Sequence, residues 1–155
     1  MAERHLGVDW VFVYTREAHP GEWVRAHDSF ETKLANAQRL RDEVGIRREI
    51  LVDDLDGTAH RAYGLLPNMT WVVAPGGRLV YKAEWTSAAG VEAFVDRYQQ
   101  GRRRKPISGT IAAYLTEQLE FRDVDREAFY SRLRRNGPRA YDEFKRAEEI
   151  WQRRR

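Results

Sequence analysis

The sequence predicts an α/β fold: a mixed sheet flanked by helices, followed by a C-terminal helical extension. Three observations predict it. Strand-length runs of β-branched and aromatic residues alternate with amphipathic stretches of helix length over residues 1–100. The first two runs are separated by a helix-length segment and so should be parallel, whereas Pro75-Gly76-Gly77 joins the last two as a tight hairpin. Beyond Gly101 the strand-like runs stop and only helical periodicity continues. Two regions follow, an α/β domain over 1–100 and a basic helical extension over 101–155.

Each element has its own signal. Val8-Asp9-Trp10-Val11-Phe12-Val13-Tyr14 is apolar almost throughout and reads as a strand buried on both faces. His19-Pro20-Gly21-Glu22 breaks it. Asp28 or Ser29 can cap a helix to about Glu43, whose apolar face holds Phe30, Leu34, Ala37 and Leu40 and which Gly45 ends. Glu49–Asp53 is a short second strand, Asp56-Gly57 a turn, and Thr58–Tyr63 one or two helical turns. Thr70–Ala74 and Arg78–Lys82 are the hairpin strands, and Thr86 or Ser87 caps a helix to about Gln99. Gly101–Lys105 reads as a basic linker, and Ile107 to Leu119 as a helix. Asp125 can cap a further helix holding Phe129, Tyr130 and Leu133. Asn136-Gly137 stops it, and Pro138 opens a last one carrying Tyr141, Phe144 and Trp151. The tail is expected to pack on the domain or on another copy of the chain, as a homodimer. Trp10, Trp23, Trp71 and Trp85 are expected in the core or at a pocket rim.

Composition removes several classes of function. Apolar residues make up 42% and charged residues 33% of the 155, which suits a globular chain rather than a disordered one. No apolar run approaches a membrane span, and Met1–Leu6 has no apolar signal core, so a cytoplasmic location is expected. There is no cysteine, hence no disulfide, thiolate metal site or cysteine nucleophile. Residues 101–155 carry 15 basic and 9 acidic side chains, but the signs alternate along helices, which reads as a solvated surface before a nucleic-acid site. Asp53-Asp54-Leu55-Asp56 lacks a calcium-loop pattern, and His19, His27 and His60 lack zinc spacing, so no metal is expected.

The candidate chemistry lies at Thr15-Arg16-Glu17-Ala18-His19, directly after the first strand. Ligands of open α/β sheets bind beyond the carboxyl ends of parallel strands. A glutamate beside a histidine suits proton transfer, the carboxylate orienting the imidazole and raising its pKa. A polar loop whose histidine caps a backbone group fits the same residues and is the commoner case. His27, at the entry to the first helix, can turn to the same end of the sheet. Pro67, directly before the third strand, is a candidate cis proline, with a trans strand-opening proline as its alternative. Glu17, His19, His27 and Pro67 would then surround one shallow site.

Val13-Tyr14-Thr15-Arg16-Glu17-Ala18-His19 resembles the Glu-Ala-His signature of the iodothyronine deiodinase family, in the redoxin branch of the thioredoxin fold. His27-Asp28-Ser29-Phe30 with Lys33–Ala37, Leu51-Val52-Asp53, Tyr63–Pro67 and Leu79–Lys82 continue the likeness over residues 8–97. The resemblance implies a thioredoxin-like sheet and a selenoprotein family of oxidoreductases, with bacterial-type members. It implies reductive removal of iodine from an aromatic ring, with a small aromatic or halogenated substrate and a thiol reductant as co-substrate. Glu17 and His19 would be catalytic, in the proton relay. Arg16, His27 and Pro67 would bind substrate, Pro67 as the cis proline facing the nucleophile. The family's cysteine or selenocysteine falls on a strand and helix upstream of the Glu-Ala-His strand. An N-terminal strand and helix are therefore expected to be missing here, with Met1 an internal residue of a longer protein. Without the nucleophile, the alternative is a thiol-less thioredoxin-fold module that binds a ligand or a protein.

Overall fold

A computed structural model describes residues 2–104 and 124–154. In chain order these form β1 (Val11–Tyr14), α1 (Phe30–Val44), β2 (Glu49–Val52), α2 (Thr58–Tyr63), β3 (Thr70–Val73), β4 (Leu79–Ala83), α3 (Ala88–Arg103), α4 (Arg126–Asn136) and α5 (Pro138–Arg153). The order is α/β as the periodicity required. The strands form two separate two-stranded sheets among the described residues, not one mixed sheet: β1 with β2 in parallel and β3 with β4 antiparallel. The helix predicted over 107–119 lies outside the described residues.

The chain divides into two compact units. Of the described residues, the first holds 2–9 and 66–104, the second 10–65 and 124–154. The predicted boundary at 100/101 falls inside α3, and Gly101–Arg103 is its last turn rather than a linker. Nothing in a run of arginines stops a helix; cations favour its C-terminal end. Helices α4 and α5, expected as an appendage, belong to the unit that contains β1 and α1.

From Leu66 to Arg104 the first unit is built from neighbours in sequence, and Arg4 joins it from 92 residues before Asp96. Asn68 accepts from the Thr86 backbone N–H at 2.9 Å, and the Thr70 and Thr86 hydroxyls meet at 2.7 Å, closing the open end of the β3–β4 hairpin. Ser87 caps α3 by accepting from the Gly90 N–H at 3.2 Å. Val80, Val91 and Val95 are buried, and Phe94 packs between the rings of Tyr81 and Tyr98. Arg4 pairs with Glu92 and Asp96, tying the short 3-10 turn at Ala2–Arg4 to α3. Pro67 lies on an exposed turn before β3, and the described residues contain no cis peptide bond, so it is a trans proline. A trans proline in a turn already serves the fold by fixing φ.

The second unit centres on the β1–β2 ribbon. Ser29, not Asp28, caps α1 by accepting from the Thr32 N–H at 3.1 Å, and Gly45 closes the helix as expected. Lys33 on α1 is fully buried and donates to the Asp54 carbonyl at 2.6 Å, which ties α1 to the β2–α2 loop. The Asp53 carboxylate accepts from the backbone N–H groups of Asp54, Ala59 and His60, capping α2. Burial of β1 differs from expectation: Tyr14 is buried, but Val11, Phe12 and Val13 are each more than 40% exposed. An unbroken apolar run shows that a strand tolerates cover on both faces, and a ribbon of two strands supplies little of it. The Arg48 guanidinium instead lies over the Trp10 and Phe12 rings, at 5.6 and 5.4 Å from their centroids. Trp23 and Trp85, expected in the core or at a rim, are also exposed, in the second and first unit respectively.

Candidate functional site

The loop after β1 is held from two sides within the second unit. On one side is α1. Arg39 donates from Nη1 to the Trp23 carbonyl at 2.7 Å and from Nε to Glu43 at 2.6 Å, while Asn36 donates to the Arg25 carbonyl at 3.0 Å. On the other side is the corner between α4 and α5. The Asn136 amide donates to the His19 carbonyl at 2.8 Å, and the Asn136 carbonyl accepts from the Trp23 and Val24 N–H groups at 3.0 and 3.3 Å. The Glu22 carboxylate accepts from the Arg139 N–H at 3.1 Å, where the exposed donors of a helix N-terminus attract an anion. Arg135 of α4 pairs with Glu43 of α1 at 3.1 Å and closes the ring.

Two glycines permit this approach. A Cβ on Gly21 would run into the Asn136 carbonyl, and one on Gly137 would strike the Glu22 carboxylate. Gly137 also holds φ +129°, a conformation that side chains disfavour.

His19 faces the two C-terminal helices. Its ring stands edge-on to Phe129 and Phe144, with centroids 5.8 and 5.6 Å apart, and those two rings meet each other at 4.8 Å. A cavity of about 180 Å³ opens beside it, lined by Ala18, His19, Pro20, Ala140, Glu143, Phe144 and Ala147. Apolar walls cost the charged imidazole its hydration, so burial pushes the His19 pKa below its ordinary value. The expected rise beside Glu17 is overturned by that burial. Glu17 engages Tyr14 instead, accepting from its hydroxyl. Burial pushes the Glu17 carboxyl up, and the charge of Arg39 partly opposes it.

The other predicted site residues fall apart from this cavity's lining. His27 is half-buried beside Lys33; its Nδ1 is buried with no hydrogen-bond partner among the described residues. Burial and then the Lys33 charge lower its pKa, with Asp28 acting the other way. Burial also lowers the Lys33 pKa, against the charges of Asp53 and Asp54. Arg16 is exposed, and Pro67 belongs to the first unit. Sequence reasoning missed Tyr14, Asn136, Glu143, Phe129 and Phe144. The two phenylalanines carried a signal, an apolar helical stripe, but that stripe names no partner.

Comparison of the chain with protein-family models, curated proteins and solved structures finds no match. No helix among the described residues is long and apolar enough to cross a membrane.

Proposed function

We propose that the chain is a thioredoxin-like, deiodinase-type module that binds a small aromatic or halogenated molecule at the His19 cavity. The order β-α-β-α-β-β-α supports the fold reading. One observation carries the functional reading: His19, together with Glu143 whose carboxylate is paired with Arg139, lines a cavity walled by an aromatic ring. A neutral imidazole at neutral pH can accept the hydrogen of a phenol, while Phe144 meets the edge or face of its ring.

In the reductive dehalogenation that the Glu-Ala-His motif suggests, a thiolate or selenolate takes iodine from the ring carbon and the carbon takes a proton. A second thiol then releases iodide and forms the mixed disulfide. The 155 residues contain no cysteine, and imidazole or carboxylate is too hard to accept a halogen. This chain's part is therefore binding and proton handling. With 4-iodophenol and dithiothreitol, the purified chain should shift the His19 ring resonances saturably yet release no iodide. Absence of a His19 shift, or thiol-dependent iodide release lost in His19→Ala, would overturn one half of the reading each.

The second reading, a binding module without proton chemistry, is favoured by the Glu17–Tyr14 bond, which leaves the carboxylate turned to a phenol rather than to His19. Glu17→Gln separates the two. A relay lowers the His19 pKa in that variant, whereas a plain binding module leaves it in place.

A further inference from the structure

A second cavity, of about 340 Å³, opens in the α4–α5 hairpin, outside residues 8–97 that carry the Glu-Ala-His likeness. Phe129, Phe144, Trp151, Gln152, Arg126 and Glu148 line it. We propose that it binds a small aromatic carboxylate. The ring would lie among the three aromatic side chains and the carboxylate on Arg126.

The aromatic walls argue for a flat ligand. Phe144 stands edge-on to Trp151 at 5.9 Å, with an interplanar angle of 86°, and steeply inclined to Phe129. Inclined rings present both faces and edges to a further ring, the arrangement aromatic clusters favour. Trp151 is 55% exposed, so the pocket is open to solvent on one side.

The donors of Arg126 select the sign. Glu148 is the buried ion of the cavity, its side chain 9% exposed. It accepts from Arg126 Nη1 and the Tyr130 hydroxyl, and Lys145 Nζ, outside the cavity's lining, lies 3.7 Å away. That carboxylate is already held and offers little to a cationic ligand. Arg126 meets Glu148 and Tyr130 through Nη1, and a guanidinium that is 62% exposed can offer its other nitrogens to a second carboxylate. Size selects the class: the volume sits near the lower end of small-molecule sites, about 300–1,000 Å³, which suits one ring with a short acid chain.

The test uses the full chain and 4-fluorophenylacetate, followed by its ¹⁹F resonance. Saturable binding is expected, weakened about tenfold or more by Arg126→Gln, the loss of one charge-assisted hydrogen bond of about 1.5–3 kcal/mol. Arg126→Lys, which keeps the charge that Glu148 needs, should weaken it by a smaller factor and remain folded. Arg132→Gln, the same charge change on an exposed part of α4, should leave it intact. 4-Fluorotoluene should bind more weakly than the acid. No saturable binding, equal binding of acid and toluene, or binding lost in His19→Ala but indifferent to both Arg126 variants would overturn the proposal.

Discussion

Within the two units the elements around the loops are fixed by different kinds of contact. In the unit of β3, β4 and α3, the hairpin closure, the Thr86–Asn68 bond and the Ser87 cap all join residues near one another in sequence. In the unit of β1 and α1, the loop from Ala18 to Arg25 is fixed by Asn136 and Arg139, 117 residues downstream in two of its bonds. Local contacts cost little loop entropy to form, whereas the distant ones must be repaid by many bonds made together. The Asn136 corner supplies such a set: three hydrogen bonds through one residue, a capped helix start and two glycine-sized gaps. Perturbations there should spread to His19, and those in the hairpin unit should stay local.

The largest break is expected from Gly21→Ala. The added methyl meets backbone, the Asn136 carbonyl, which cannot rotate aside. A loss of about 3 kcal/mol in urea unfolding is expected, at the upper end for overpacking. It should come with weaker protection of the Trp23 and Val24 amides in hydrogen exchange. An unchanged midpoint would mean the α4–α5 corner does not hold the loop.

Phe144→Ala comes next. The ring is half-buried and touches His19, Phe129 and Trp151, so a cost of about 2 kcal/mol is expected, below that of a fully buried phenylalanine. Removing it re-admits water to the imidazole. The His19 pKa should therefore rise towards 6.5 in an NMR titration, since burial is what lowers it. The counterpart in the other unit is Ser87→Ala, with a cost of about 1 kcal/mol for a lost N-cap. That variant should leave the His19 titration where it was; a shift there would erase the contrast between local and distant contacts.

The sequence was legible where a signal is local and poorly so where it depends on distance. Ser29, Ser87, Asp125, Gly45 and Pro138 mark helix ends at the residues the structure uses, because capping is chemistry between near neighbours. The parallel β1–β2 pair and the β3–β4 hairpin followed from connection lengths. A single sheet and a doubly buried β1 did not follow, since an apolar run does not say what covers it. The loop bearing Glu17 and His19 was placed correctly after β1. Its partners were not: Glu17 turns to Tyr14, three residues back, and His19 to rings on α4 and α5. Apolar stripes on those helices predicted a buried face without naming the imidazole that one of them covers.

The smallest effect, and the one that isolates the imidazole, is the pH dependence of stability. Burial lowers the pKa of His19 in the folded chain, so the unfolded chain takes up a proton first as pH falls below 6.5. The stability that His19 contributes is thus full above 6.5 and is lost as pH falls through the lowered folded value. His27 is shifted the same way and adds to the slope. Glu17 acts with the opposite sign. Its folded pKa lies above 4.5, so the stability it contributes is full below 4.5 and lost as pH rises through the raised folded value. His19→Gln should therefore flatten the fall in stability just below pH 6.5 without abolishing it, because His27 remains. Glu17→Gln should make acidification more damaging, because it removes proton uptake that favours the fold. Glu143, which lines the same cavity as His19 but is paired with Arg139 at 2.7 Å, is the control: Glu143→Gln should leave the slope in place. Urea midpoints measured across this range decide the matter. A slope unaltered by His19→Gln would show that the ring between Phe129 and Phe144 is as well hydrated as in the unfolded chain, and the enclosure of the loop by the tail helices would then fail at the residue it most directly covers.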